Sequence, residues 1–260
     1  MTARIITRPA PSPAFGALEY PSSDGEPMAE TDLHRWLLFD ATTRLIHRYA
    51  ADPNVYVSGN LLVYYKEGKP RVCLAPDCFV AFGVEKGNRD TFKTWVEQAY
   101  PAVVFEFTSA STRGNDTGKK FAVYQDIWCV DEYFLFDPFE EYLTPSLQGF
   151  RRDGHGKLVP IPPDAAGGVL SARLNLTLAR DGTSLAYRDA TTGELVLNAG
   201  DSRARDEAEA RAEAEQVARD AQQAARNAQQ SARAEADARR EAEARLADAL
   251  AELDRLRESP

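Results

Sequence analysis

This 260-residue sequence has few cysteines and histidines and no net positive charge, and each of these features argues against a class of protein. The three cysteines form no C-x-x-C pair, so neither a disulfide framework nor a zinc ribbon is indicated, and we expect reduced core thiols. His34, His47 and His155 lack metal-ligand spacing, which argues against a zinc hydrolase or a histidine-based nuclease. The net charge of -9 argues against a protein that coats nucleic acid by bulk charge.

Long apolar runs are also missing. No run approaches the roughly 18 apolar residues that a spanning helix needs, and residues 1–16 contain no apolar signal-peptide segment. We therefore expect a cytoplasmic protein with no membrane partner. The 43% of hydrophobic residues nevertheless suffices for a folded core.

Composition divides the chain into three parts. Residues 1–28 contain five prolines among Gly and Ser and predict a flexible N-terminal arm. Residues 29–200 predict the folded domain. Residues 201–260 contain 19 alanines but no aromatic residue or glycine, which predicts a long helix and a coiled coil. The heptad seam is strongly apolar only near its end, so a solvated single helix is the alternative to self-association.

Periodicity within the folded part predicts an α/β or α+β domain around a mixed sheet. Helices and strands are predicted at residues 30–49 (helix), 55–65 (strand or hairpin), 71–82 and 101–109 (strands), 116–128 (helix) and 132–137 (strand). Short apolar segments separated by turn signals in residues 157–197 predict a set of appended β-hairpins.

Two familiar catalytic motifs fail a check of their spacing. Gly114, Gly118 and Lys119 resemble a phosphate loop, but three residues instead of four separate the glycines. Lys120 also stands where that motif requires Ser or Thr. No G-x-S-x-G elbow occurs, so neither an NTPase nor a serine hydrolase of that type is indicated.

Two carboxylates stand inside apolar strand segments, where charge is costly. Asp77 lies in CLAPDCFVAFG and Glu106 in PAVVFEFTS. Such carboxylates must be paired, neutralised or bound to a cation, and two of them on neighbouring strands would give the oxygen-rich site that Mg²⁺ prefers. Asp116 and Lys120 follow at the start of the next helix, and an ammonium there could orient an attacking water and stabilise charge on a phosphate.

A longer pattern around these residues is similar to a known nuclease family. Pro76-Asp77, Glu106 and a following lysine resemble the PD-(D/E)XK nuclease superfamily, and the extended pattern resembles the Uma-type restriction endonucleases. That pattern comprises Glu106, Ser109, Ser111, Thr112, Arg113, Asp116, Gly118, Lys120, Tyr124, Glu132-Tyr133 and Asp137-Pro138.

The resemblance implies a restriction-endonuclease-like core, a Mg²⁺ or Mn²⁺ cofactor and DNA as substrate. It implies metal ligation by Asp77 and Glu106, with Glu30 as an accessory acid. The usual lysine position of the superfamily falls at Thr108, so the resemblance assigns the catalytic lysine to Lys120. Ala110 stands where many relatives carry a lysine.

Structural roles are the alternative for each of these residues. Asp77 and Glu106 could form ordinary ion pairs, Lys120 could pair only with Asp116 four residues earlier, and Glu30 could be a first-turn acid. Two functions therefore stay open. The first is a metal-dependent endodeoxyribonuclease, and the second is a weak or inactive relative that acts as an assembly module through its tail. In either case we expect a homo-oligomer formed through the core or the C-terminal helix.

Overall fold

A computed structural model describes residues 19–23, 31–109, 112–217, 219–224, 227 and 240. The chain divides into two compact units, Met1–Ala199 and Gly200–Pro260. The first unit contains the sheets and the candidate site. In the second, residues 200–217 and 219–224 are helical, with ion pairs four residues apart such as Arg205 to Glu209. The strongest predicted heptad positions, residues 246–256, lie outside the described residues.

The first helix, α1, spans Asp32–Arg48 and agrees with the helix predicted from periodicity. Thr31 caps it, because its hydroxyl accepts a hydrogen bond from the backbone N–H of His34 at 3.2 Å. Leu37, Ala41 and Leu45 form the buried stripe that packs into the core. The opposite face carries exposed residues such as Trp36 and Phe39, so the helix covers one side of the sheet.

The central sheet has six strands in the order β1-β4-β6-β7-β8-β9. Its strands are β1 (Val55–Ser58), β4 (Cys78–Phe82), β6 (Val103–Phe107), β7 (Glu132–Phe136), β8 (Leu147–Arg152) and β9 (Leu158–Pro160). Only β6 and β7 pair in parallel, so the sheet is mixed. Every residue of β6 and β7 is buried, because both faces of these central strands are covered.

Two small sheets complete the first unit. One has the order β3-β2-β5 and comprises β2 (Val63–Tyr64), β3 (Cys73–Leu74) and β5 (Phe92–Lys93), followed by α2 (Thr94–Glu97). The other comprises the antiparallel strands β10 (Val169–Ser171), β11 (Leu176–Asp181) and β12 (Ser184–Asp189). The predicted fold class, a mixed α+β domain with appended hairpins and a C-terminal helix, is therefore confirmed.

Three local predictions need correction. Residues 55–65, predicted as a strand or a hairpin, form the two strands β1 and β2, but the hairpin alternative is wrong because these strands belong to different sheets. Asn60 instead adopts φ of 49° and donates its N–H to the carbonyl of Pro76 at 2.9 Å. The predicted single strand at residues 71–82 is broken into β3 and β4, which belong to different sheets. Finally, Cys129 is exposed and is not a core thiol.

The helix predicted at residues 116–128 is present in a different form. Asn115–Lys120 is a π-helix, and it continues into α3, Phe121–Asp126. The wider π turn is rare and occurs often at functional sites. Val123 and Tyr124 are the buried residues of α3. Among the described residues, no helix is both long enough and apolar enough to cross a membrane.

Candidate active site

The sheet brings Asp77 and Glu106 to the same place. Strands β4 and β6 are antiparallel with Cys78 opposite Phe105, so the residue before Cys78 faces the residue after Phe105. The backbone N–H of Asp77 lies 3.4 Å from Oε2 of Glu106, which fixes this juxtaposition. Strand pairing thus converts a separation of 29 residues in sequence into direct contact.

The Asp77 carboxylate is held from two sides. Its Oδ2 accepts a hydrogen bond from the backbone N–H of Phe107 at 2.7 Å, and its Oδ1 lies 3.3 Å from Nε2 of His34. Gly59 is required nearby, because a Cβ there would come within 2.4 Å of the Asp77 carbonyl oxygen. The side chain of Asp77 is 14% exposed, so it is oriented by the protein and still reaches the surface.

The Glu106 carboxylate is buried and bound by two side chains. Oε2 accepts a hydrogen bond from Nζ of Lys120 at 2.8 Å, and Oε1 accepts one from the hydroxyl of Tyr124 at 2.5 Å. Burial raises the pKa of Glu106 to about 8, although the Lys120 ammonium opposes that rise. Burial also raises the pKa of Tyr124 well above its ordinary value, so its hydroxyl stays protonated and donates.

Lys120 connects the two ends of this network. Its Nζ lies 3.1 Å from Oδ1 of Asp116, on the same π-helix, as well as beside Glu106. Burial alone would lower the pKa of the Lys120 ammonium, but the surrounding carboxylates outweigh it and raise that pKa. Lys119, the preceding residue, is exposed. On the π-helix, therefore, Lys120 lies at the site and Lys119 faces solvent.

Thr108 occupies the position at which the superfamily pattern has its lysine. The residue is 2% exposed, and its hydroxyl has no hydrogen-bond partner among the described residues. The ammonium at this site comes instead from Lys120, which reaches Glu106 from the helix. Glu30, Ala110 and Ser111 lie outside the described residues.

Comparison with known proteins identifies the family. The model of the Uma2 family, described as "Putative restriction endonuclease", matches residues 12–183. The chain belongs to this family. The membership confirms the resemblance inferred from Asp77, Glu106, Lys120 and the residues that follow them, and it supports a nuclease-like function.

Other comparisons add little to this assignment. A solved structure titled as a "putative nuclease belonging to DUF820" from Anabaena variabilis matches with 14% sequence identity and a TM-score of 0.41. The match covers 57% of this chain and 76% of the other. The curated proteins contain no match.

The carboxylates of this Uma2 protein fit a hard divalent cation. Within the described part of the chain, no group of three or more His, Cys, Asp or Glu residues is arranged to hold a metal. Mg²⁺, however, takes one or two protein carboxylates and completes its shell with water and phosphate oxygens. Asp77 and Glu106 supply that number, and the buried Glu106 carboxylate shares the Lys120 ammonium with Asp116.

A cleft of about 560 Å³ opens beside Asp77. Its walls are the start of α1, the segments at the adjacent ends of β4 and β6, and the loop after β7. The lining residues are Thr31, Leu33, His34, Asn60, Ala75, Asp77, Thr108, Ser109, Thr112, Pro138, Phe139, Glu141 and Tyr142. Of the described residues Asp77, Glu106 and Lys120, Asp77 lines this cleft. The Glu106 side chain is buried and that of Lys120 is 15% exposed.

His34 is a site residue that the sequence interpretation missed. The spacing of the three histidines argues against metal binding and indicates no other role for His34. Its contact with Asp77 spans 43 positions and depends on how α1 packs against the sheet. No local signal in the sequence indicates this contact.

Proposed function

We propose that this protein is a Mg²⁺-dependent endodeoxyribonuclease that hydrolyses DNA phosphodiester bonds. The observation that carries the proposal is the convergence of Asp77, Glu106 and Lys120 at one sheet edge, beside an open cleft. Membership of the Uma2 family supports DNA as the substrate.

Each residue has a defined role in this proposal. Asp77 and Glu106 hold the ion, with the Asp77 carboxylate oriented by Phe107 and His34. A divalent cation at such a site supplies Lewis-acid chemistry, because it activates water for attack and neutralises charge on a phosphate. Lys120 keeps a fixed positive charge next to these carboxylates, and that charge stabilises negative charge that develops on the phosphate.

The energetic cost of the network favours catalysis over an assembly role. Glu106, Asp116 and Lys120 place three ionisable groups in a poorly hydrated region, where desolvation opposes much of their mutual attraction. A protein that acts only through its tail would not need this arrangement. Perturbed ionisable groups beside a cleft are typical of catalytic sites.

Cleavage of supercoiled plasmid DNA in Mg²⁺ tests the proposal. We expect Asp77→Asn to abolish cleavage and Lys120→Ala to slow it by about tenfold or more, a barrier change of about 1.4 kcal/mol. Lys119→Ala is the matched control. Because Lys119 is exposed, we expect it to alter mainly the salt dependence of DNA binding. Cleavage by Lys120→Ala at the wild-type rate, with impaired cleavage by Lys119→Ala, would refute the assignment of the lysine.

A further inference from the structure

We propose that the cleft beside Asp77 binds an unpaired nucleobase next to the phosphate that is cleaved. The preferred substrate is then single-stranded or locally unpaired DNA, and an intact duplex is a poorer substrate. This inference rests on the proposed nuclease function and deepens it by naming a substrate class.

The position of the cleft is the first argument. Asp77 belongs both to the carboxylate pair and to the cleft wall. A DNA strand whose phosphate lies at the carboxylates therefore has its neighbouring nucleotide at the mouth of the cleft. The volume of the cleft, about 560 Å³, is within the range of small-molecule sites. A single nucleobase is a ligand of that class.

Aromatic side chains on one wall are the second argument. Phe139 is 56% exposed and lines the cleft together with Tyr142. Arg113 does not line the cleft, but its guanidinium lies 5.4 Å from the centre of the Tyr142 ring. Exposed aromatic rings stack on nucleobases of any sequence, provided that the base is not already stacked within a duplex.

The loop that carries these rings has a fixed conformation. The buried carboxylate of Asp137 accepts backbone hydrogen bonds from Phe139 at 3.1 Å, Tyr142 at 2.5 Å and Leu143 at 3.0 Å. Arg180 adds an ion pair to Glu140 and a 3.4 Å contact with the carbonyl of Pro138. Because the loop is ordered by its own contacts, a base that binds there does not have to order it.

The charge of the cleft is the third argument. The described residues that line it include no Lys or Arg, but they include two acidic residues, Asp77 and Glu141. A surface that follows the phosphates of a duplex needs several cationic side chains, and this wall would instead repel them. The cleft thus fits the face and edge of a base better than a sugar–phosphate backbone.

Fluorescence anisotropy with the full chain tests this site. The probes are a labelled single strand, the same strand with abasic sugars at its central positions, and the matching duplex, all in EDTA so that no Mg²⁺-dependent cleavage occurs. We expect the intact strand to bind about fivefold or more tightly than the abasic strand. We also expect Phe139→Ala and Tyr142→Ala each to remove most of that difference while leaving the affinity for the abasic strand unchanged.

Two controls accompany this test. Tyr100→Ala removes an aromatic ring that is 38% exposed and does not line the cleft, and we expect it to bind like wild type. Phe139→Trp keeps a stacking surface, and we expect it to preserve the preference for bases. Equal affinity of the wild type for intact and abasic strands would overturn the inference. Equal losses on both strands in Phe139→Ala and Tyr142→Ala would also overturn it.

The outcome separates the base site from the nuclease proposal. Preference for bases that depends on Phe139, without Mg²⁺-dependent cleavage of any strand, would leave the base site standing and refute the nuclease. Mg²⁺-dependent cleavage that Phe139→Ala and Tyr142→Ala do not affect, with unchanged binding, would refute the base site alone.

Discussion

Replacing Lys120 with Met isolates the ammonium from the rest of the side chain. Met retains an apolar stem of similar length, so packing along the π-helix changes little. The substitution leaves Glu106 and Asp116, each 1% exposed, without the cation that lies 2.8 Å and 3.1 Å from their oxygens. Removing one partner of a buried ion pair costs about 3–5 kcal/mol.

The loss of unfolding free energy caused by Lys120→Met depends on pH. Burial already raises the pKa values of Glu106 and Asp116, and loss of the ammonium that opposes this rise increases both further. A carboxyl group whose pKa is higher in the folded chain opposes folding above the pKa of the unfolded chain, roughly 4. Below the wild-type pKa of Glu106, about 8, this carboxyl group is protonated in both folded proteins, so the stability deficit of Lys120→Met should grow as the pH rises through that value.

Urea unfolding of the two proteins at pH 5 and pH 9.5 measures this effect. We expect Lys120→Met to lose about 3 kcal/mol or more at pH 9.5 and less than half as much at pH 5. Lys119→Met, at an exposed neighbouring position, should stay within about 0.5 kcal/mol of wild type at both pH values. If Lys120→Met is as stable as Lys119→Met at pH 9.5, the Lys120 ammonium does not compensate the buried acids.

Three further perturbations follow from the structure. Gly59→Ala should destabilise the protein by about 1–3 kcal/mol in urea unfolding, because the new Cβ would meet the Asp77 carbonyl at 2.4 Å, whereas Gly154→Ala, with nothing within 4 Å, should be neutral. Asp137→Asn replaces an acceptor of backbone hydrogen bonds with a donor and should cost about 1–3 kcal/mol, and unchanged stability would contradict the role given to this carboxylate. Removal of residues 201–260 should leave the first unit folded by circular dichroism but lower the number of chains per particle, as measured by light scattering, and an unchanged number would show that the core makes the oligomer.

The sequence predicts the three central site residues for a physical reason. A carboxylate in an apolar strand is costly, so Asp77 and Glu106 stand out in runs that otherwise belong to the core. An ideal α-helical register with a buried stripe through Phe121, Tyr124 and Trp128 also predicts that Lys120 lies at the edge of the stripe and that Lys119 faces solvent. The structure places Lys120 against Glu106 and leaves Lys119 exposed.

Other features depend on contacts that local patterns do not encode. His34 meets Asp77 only because α1 packs across the sheet, and the break between β3 and β4 reflects the contacts of Pro76 and Asp77 with residues far along the chain. The aromatic wall of the cleft depends on one buried side chain, Asp137, which folds the loop after β7 around itself. The π turn before α3 also has no signature in the apolar periodicity.

Thermal unfolding with and without Mg²⁺ tests the central claim most directly, because it measures the site independently of any DNA substrate. A ligand at 100 times its Kd stabilises the folded state by about 2.7 kcal/mol. We predict that Mg²⁺ raises the melting temperature of the full chain, and that Asp77→Asn and Glu106→Gln each remove most of that increase. Equal stabilisation by Mg²⁺ of the wild type and both variants would contradict the assignment of these two carboxylates as the metal site.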